Sequence, residues 1–221
     1  VREEKRIYLS APALNEARVY GEEFLRALLI HEFTHVVTYW ASRGWLWDVG
    51  EWAGPGLMPA WFVEGVAQAE AYTFNLYGGF LILRSAALEN AYTPLAKIDA
   101  DWPTDQPDRW LTYAQGYSLV SYIAEAYGKK AIAEILDNFA KYRVFEYALK
   151  RSLGVDERQL YRDWEAKTRG YYQGQAEGRS DLPPAVEFPL EAVLSARISP
   201  DGQRIALLAV KDWDLEDPYP M

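Results

Sequence analysis

The stretch that decides the fold is Glu22-Glu23-Phe24-Leu25-Arg26-Ala27-Leu28-Leu29-Ile30-His31-Glu32-Phe33-Thr34-His35-Val36-Val37-Thr38-Tyr39-Trp40-Ala41-Ser42. Its apolar residues Phe24, Leu25, Leu28, Leu29, Phe33, Val36, Val37 and Trp40 recur at intervals of three and four, which predicts an α-helix. From Leu28 to Trp40 the stretch is apolar on nearly every side, so this helix is expected to run through the interior. Two histidines and a glutamate, His31, Glu32 and His35, stand in its middle.

Upstream, Arg6-Ile7-Tyr8-Leu9 reads as a short strand ending at Pro12. Downstream, Gly44 to Pro59 is rich in Gly, Trp and Pro and reads as a long loop. Pro59 then opens a second helix, where its missing N–H is harmless; that helix is expected from about Ala60 to Asn75. Further helices are expected over Leu81 to Asn90, Trp110 to Tyr127, Lys129 to Arg143, Phe145 to Leu153 and Asp156 to Tyr172. A surface loop is expected over Asp99 to Asp108. Asp156 reads as an N-cap, and Gly128 and Gly154 as helix stops.

Residues 1–174 are therefore read as one mostly helical domain, and the fold class as mainly α (α+β). Residues 175–190, with Gly, Ser, Asp and two prolines, have the composition of a linker. Within 191–221 the period switches toward two. Val193 to Ile198, a Ser199-Pro200-Asp201-Gly202 turn, and Arg204 to Leu208 give a strand–turn–strand signature.

Half of the 221 residues are apolar, enough for a substantial core. The net charge is −9 and no long basic run occurs, which argues against a nucleic-acid or anionic-membrane partner. The apolar runs are broken too often to span a bilayer. Nine Trp and sixteen Tyr make the chain unusually aromatic. Cysteine is absent, so a metal site here must use imidazoles and carboxylates.

Against that background His31-Glu32-Phe33-Thr34-His35 is the informative motif. Two residues four apart on an α-helix lie about 40° apart around the axis and about 6 Å along it. Imidazoles so placed can converge on one ion, and the glutamate beside the first can take a proton from a metal-activated water. The chain's only two histidines both fall in this motif. Burying two imidazoles and a carboxylate in an apolar helix is costly without a metal to compensate.

A catalytic zinc needs three protein ligands and an open position. With no third histidine, the best candidate is Glu64 in Trp61-Phe62-Val63-Glu64-Gly65-Val66-Ala67, an acid set among apolar neighbours. Asp48 and Glu51, in the Gly/Trp loop, are the rivals. Glu70 is expected to face solvent or to support the site from behind.

At this point the chain resembles the gluzincin (MA clan) zinc metallopeptidases, most closely the M1 aminopeptidase family and its smaller bacterial relatives. Three segments carry the likeness. The first is His31-Glu32-Phe33-Thr34-His35. The second, Trp61-Phe62-Val63-Glu64-Gly65, is similar to the family's Trp-Leu-Asn-Glu-Gly, whose Glu binds zinc. The third, Tyr113-Ala114-Gln115-Gly116-Tyr117, is similar to its Tyr-x-x-Gly helix, whose Tyr stabilises the transition state. The resemblance implies a thermolysin/M1-like catalytic domain holding one Zn2+ per chain through His31, His35 and Glu64. It also implies Glu32 as general base and Tyr113 as oxyanion donor, with Tyr117 one turn later as the fallback. The implied function is zinc-dependent hydrolysis of peptide bonds in a peptide or protein substrate.

Two departures stand out. The gap between His35 and Glu64 exceeds the family's usual spacing, which makes Gly44 to Pro59 an insertion. The Gly-x-Met-Glu-Asn segment that holds a free amino terminus is missing, so exopeptidase action does not carry over. The hairpin around Ser199-Pro200-Asp201-Gly202 resembles a blade of the TolB-like β-propellers. That likeness implies a C-terminal propeller domain missing from this chain and a periplasmic or extracellular setting; a plain hairpin packed on the peptidase domain is the other reading. Two functional alternatives stay open, a non-catalytic zinc-binding interaction or structural domain and a hydrolase acting on something other than a peptide.

Overall fold

A computed structural model describes residues 22–42, 58–71, 78–99, 109–177 and 192–210. Eight helices occur among these residues: α1 Glu22–Ala41, α2 Ala60–Ala71, α3 Gly79–Glu89, α4 Leu95–Asp99, α5 Arg109–Ala126, α6 Ala131–Tyr142, α7 Phe145–Leu153 and α8 Glu157–Ala176. Two strands follow, β1 Ala192–Ile198 and β2 Ile205–Val210. The fold is thus mostly helical with a short C-terminal antiparallel hairpin, as the periodicity indicates. The expected strand at Arg6 to Leu9, most of the Gly44 to Pro59 loop and the 175–190 linker beyond Glu177 lie outside the described residues.

Local chemistry sets the helix ends. The carbonyl of Pro59 accepts from the N–H groups of Phe62 and Val63, starting α2 where the proline stands. Asp156 is extended, and its side chain accepts from the Gln159 N–H at 2.8 Å, satisfying one of the free donors at the start of α8. Gly154 stops α7 with φ 78°, a left-handed turn that costs a glycine little. Arg143 stops α6 in the same left-handed region, and its guanidinium donates to the Ser42 carbonyl at 2.8 Å. That places a cation at the negative end of α1.

The chain divides into two units, Val1–Glu177 and Gly178–Met221. In the first, α2 packs against both α1 and α5, α6 pairs with α7, and α3 bridges α5 and α8. The centre is built from Trp61 and Phe62 of α2, Leu119 and Ile123 of α5, Ile135 and Phe139 of α6, Leu149 of α7, and Leu160 and Trp164 of α8. Each of these is essentially inaccessible to solvent, and burying a side chain of this size contributes about 1.5–3 kcal/mol.

Two expectations need correction. The first concerns α1, which is not buried all round: Leu29, Phe33, Val37 and Trp40 form one face and are between 40% and 59% exposed. The inward face carries Phe24, Ala27, His31, Thr34 and Thr38. Among the described elements α1 packs chiefly on α2 and more lightly on α6. Secondly, α8 does not stop at Tyr172 but runs through Gly174 to Ala176, with the Glu177 N–H reaching the Gln173 carbonyl. A mid-helix glycine costs about 1 kcal/mol, too little to end a helix already docked through Leu160 and Trp164. A short helix, α4, also forms just ahead of the loop expected from Asp99, in a stretch for which no element was expected.

In the second unit β1 and β2 pair antiparallel, Ile198 opposite Ile205, with an irregularity between Val193 and Ser195. The turn forms at the expected residues. Gly202 donates its N–H to the Ser199 carbonyl, and the Asp201 carboxylate accepts from the Gln203 N–H.

Candidate metal centre

His31 and His35 sit one turn apart on α1, His31 on the inward face and only 8% exposed, His35 half-buried beside it. Their rings meet edge to face at 86°, with centroids 4.7 Å apart and the two Nε2 atoms 3.1 Å apart. Glu64 comes from α2, the helix that covers this side of α1. Its Oε2 lies 3.2 Å from His31 Nε2 and 3.5 Å from His35 Nε2. The structure therefore brings together one atom from each of the three expected ligands, drawn from two helices.

The chemistry of this trio fits a divalent cation. Three Lewis bases within 3.5 Å of one another repel unless a proton or a cation sits among them. Glu64 Oε2 is buried, yet no well-directed hydrogen bond satisfies it, and such an atom is expensive to leave alone. Nitrogen and oxygen ligands at 2.0–2.2 Å around a tetrahedral ion are separated by about 3.3–3.6 Å. The observed edges of 3.1, 3.2 and 3.5 Å fall close to that range. Among the described residues, His31, His35 and Glu64 are the group of His and acidic side chains able to hold a metal ion.

Electrostatics point the same way. Burial by itself would raise the Glu64 carboxyl, but the adjoining His31 and His35 imidazoles outweigh it and hold the group down at about 2. A carboxylate must be ionised to serve as a ligand, and this one is ionised at any physiological pH.

The other expected residues are placed as follows. Glu32 is half-buried on α1 between the two histidines in sequence. Glu70 is exposed on α2, as expected. Asp48 and Glu51, the rival ligands, lie outside the described residues. Tyr113 is half-buried on α5, its ring centroid 6.1 Å from that of Trp110. Tyr117 is half-buried and packs against the central core. One turn beyond Tyr113 comes Gly116, which lies directly against Gly65, the neighbour of Glu64. The sequence reading overlooked that glycine contact. Its only signal was a pair of glycines inside helical patterns, where glycine is unfavourable without a packing reason.

The family model described as the Peptidase MA superfamily matches residues 19–170. The chain belongs to the Peptidase MA superfamily. The match runs from just before α1 into α8, so all three candidate ligands, Glu32 and Tyr113 fall inside it and the β-hairpin falls outside. Membership in the Peptidase MA superfamily points to a metallopeptidase, in keeping with the His31, His35 and Glu64 cluster. Neither the curated proteins nor the solved structures compared with the chain gave a match. No helix among the described residues is long and apolar enough to cross a membrane.

Proposed function

We propose that this chain is a zinc-dependent peptidase of the gluzincin type, with His31, His35 and Glu64 as ligands of one zinc ion per chain. The observation that carries this reading is the convergence of His31 Nε2, His35 Nε2 and Glu64 Oε2 to within 3.5 Å from two separate helices. When bound, zinc supplies a Lewis acid that makes water more acidic and polarises a peptide carbonyl. Glu32, adjacent to His31, is the base that receives the proton of the attacking water and passes it to the departing amine. The Tyr113 hydroxyl donates a hydrogen bond to the oxygen on which negative charge develops, a role worth a few kcal/mol where such donors have been removed. Superfamily membership favours this peptidase over a purely structural zinc domain, which has no use for Glu32. By resemblance the arrangement is M1 aminopeptidase-like, and the C-terminal hairpin is the first part of a propeller blade.

Glu32→Gln separates catalysis from metal binding. The variant is expected to keep its zinc and its melting temperature while hydrolysis of a fluorogenic peptide library falls by a factor of about 10²–10⁴, the usual worth of a general base. Full activity in this variant would exclude Glu32 as the base.

A further inference from the structure

Helix α2, which carries Glu64, crosses α5 at a close glycine contact. A Cβ built on Gly65 would lie 2.3 Å from the Gly116 carbonyl oxygen, 2.7 Å from the Gly116 carbonyl carbon and 2.7 Å from Val120 Cγ2. A Cβ on Gly116 would lie 2.9 Å from the Trp61 carbonyl oxygen. The two backbones therefore touch directly, which only residues without side chains permit. Each glycine stands within a helix, where it is about 1 kcal/mol less favourable than alanine, and each is buried.

We infer that Gly65 and Gly116 are positioning residues for the metal site, acting through the register of α2 to hold Glu64 over the two histidines. This rests on the proposed zinc reading and deepens it. Gly65 follows Glu64 directly, so any movement of α2 at the crossing is passed to the third ligand. The same helix α2 packs against α1, which carries the other two proposed ligands. Opening the 2.3 Å approach to an ordinary carbon–oxygen contact requires a displacement on the order of 1 Å, whereas metal–ligand distances tolerate only about 0.2 Å. The lighter Gly116 overlap needs roughly half that movement, still beyond the tolerance. The same contact fixes Tyr113, one turn before Gly116, relative to Glu64.

The test compares Gly65→Ala, Gly116→Ala, Glu64→Ala and Leu149→Ala in the full chain. Leu149 is a fully buried residue of α7, a helix that carries none of the proposed ligands, and its truncation is a stability control. Zinc affinity is read by competition with a chromophoric chelator at 25 °C, and ligand geometry by the visible absorption of the Co2+-loaded chain. Both glycine variants are expected to bind zinc 10–100-fold more weakly than wild type, the range seen when supporting residues around a metal are changed, and to show an altered Co2+ spectrum. Leu149→Ala is expected to melt earlier while keeping zinc affinity within about twofold. Wild-type affinity and spectrum in a folded Gly65→Ala or Gly116→Ala would overturn the inference; if Gly65→Ala fails to fold, the milder Gly116→Ala decides. Absence of zinc binding in the wild type, or equal binding by Glu64→Ala, would instead overturn the three-ligand reading on which the inference stands.

Discussion

Replacing Glu157 by Gln should flatten the pH dependence of stability across the neutral range. Glu157 opens α8, and its Oε1 accepts a hydrogen bond from Nε1 of the fully buried Trp61 at 2.6 Å. Burial raises its carboxyl from 4.5 to about 7; the Trp61 N–H opposes the rise, and the charges of Asp99 and Glu146 add to it. The folded chain therefore holds this proton more tightly than the unfolded chain. The stabilisation is fully present below about pH 4.5 and is lost as the pH climbs through about 7. At 1.36 kcal/mol for each tenfold change, the whole span is worth roughly 3 kcal/mol. The helix N-terminus favours a negative charge by about 0.3–1 kcal/mol, and residual solvent contact trims the burial effect, leaving a loss of about 2 kcal/mol between pH 5 and pH 8. Gln keeps a carbonyl for Trp61 but does not ionise. Urea unfolding of both chains at pH 5, 6, 7 and 8 should show Glu157→Gln gaining on wild type as pH rises, to about 2 kcal/mol at pH 8. Parallel stability curves for the two chains would refute this assignment.

Two further substitutions probe the scaffold. Gln115 is fully buried on α5, where its side chain accepts from the Thr93 N–H at 2.7 Å and donates to the Thr93 carbonyl at 3.0 Å. Gln115→Leu should destabilise by about 1–3 kcal/mol by stranding that amide, and the Thr93 amide should lose hydrogen-exchange protection selectively. Asp156→Ala removes the N-cap of α8 and should lower stability by about 1 kcal/mol in urea titrations, with no change in zinc affinity.

The sequence exposed those parts of the fold whose causes are local. The three- and four-residue spacing in Glu22 to Ser42, the cap at Asp156, the stop at Gly154 and the Ser199 to Gly202 turn each rest on residues adjacent in the chain, and each stands where expected. The parts that were hidden have distant causes. Helix α4 follows a segment held by Gln115, 22 residues away from Thr93. The outward stripe on α1 could not be foreseen because composition does not say which side of an apolar helix its neighbours cover. Here the site draws the polar side inward, with His31, Thr34 and Thr38 facing the core while Leu29 and Phe33 face out. Nothing local singles out Glu157 at the start of α8; the approach of Trp61, 96 residues earlier, gives this half-buried carboxyl its partner. For the candidate site the histidine spacing was legible because both candidate ligands share one helix. Glu64 was marked by its own neighbours, an acid among Trp61, Phe62, Val66 and Ala67, but nothing local says that α2 covers α1.

Zinc stoichiometry tests the central claim most directly. Purified wild-type chain and Glu64→Ala would be dialysed side by side against Zn2+ at pH 7, and bound metal measured by elemental analysis. About one zinc per wild-type chain, largely lost from Glu64→Ala, is the result expected of a three-ligand catalytic site. A wild-type chain that takes up no zinc, or a Glu64→Ala chain that retains it as well as wild type, would contradict the site as assigned.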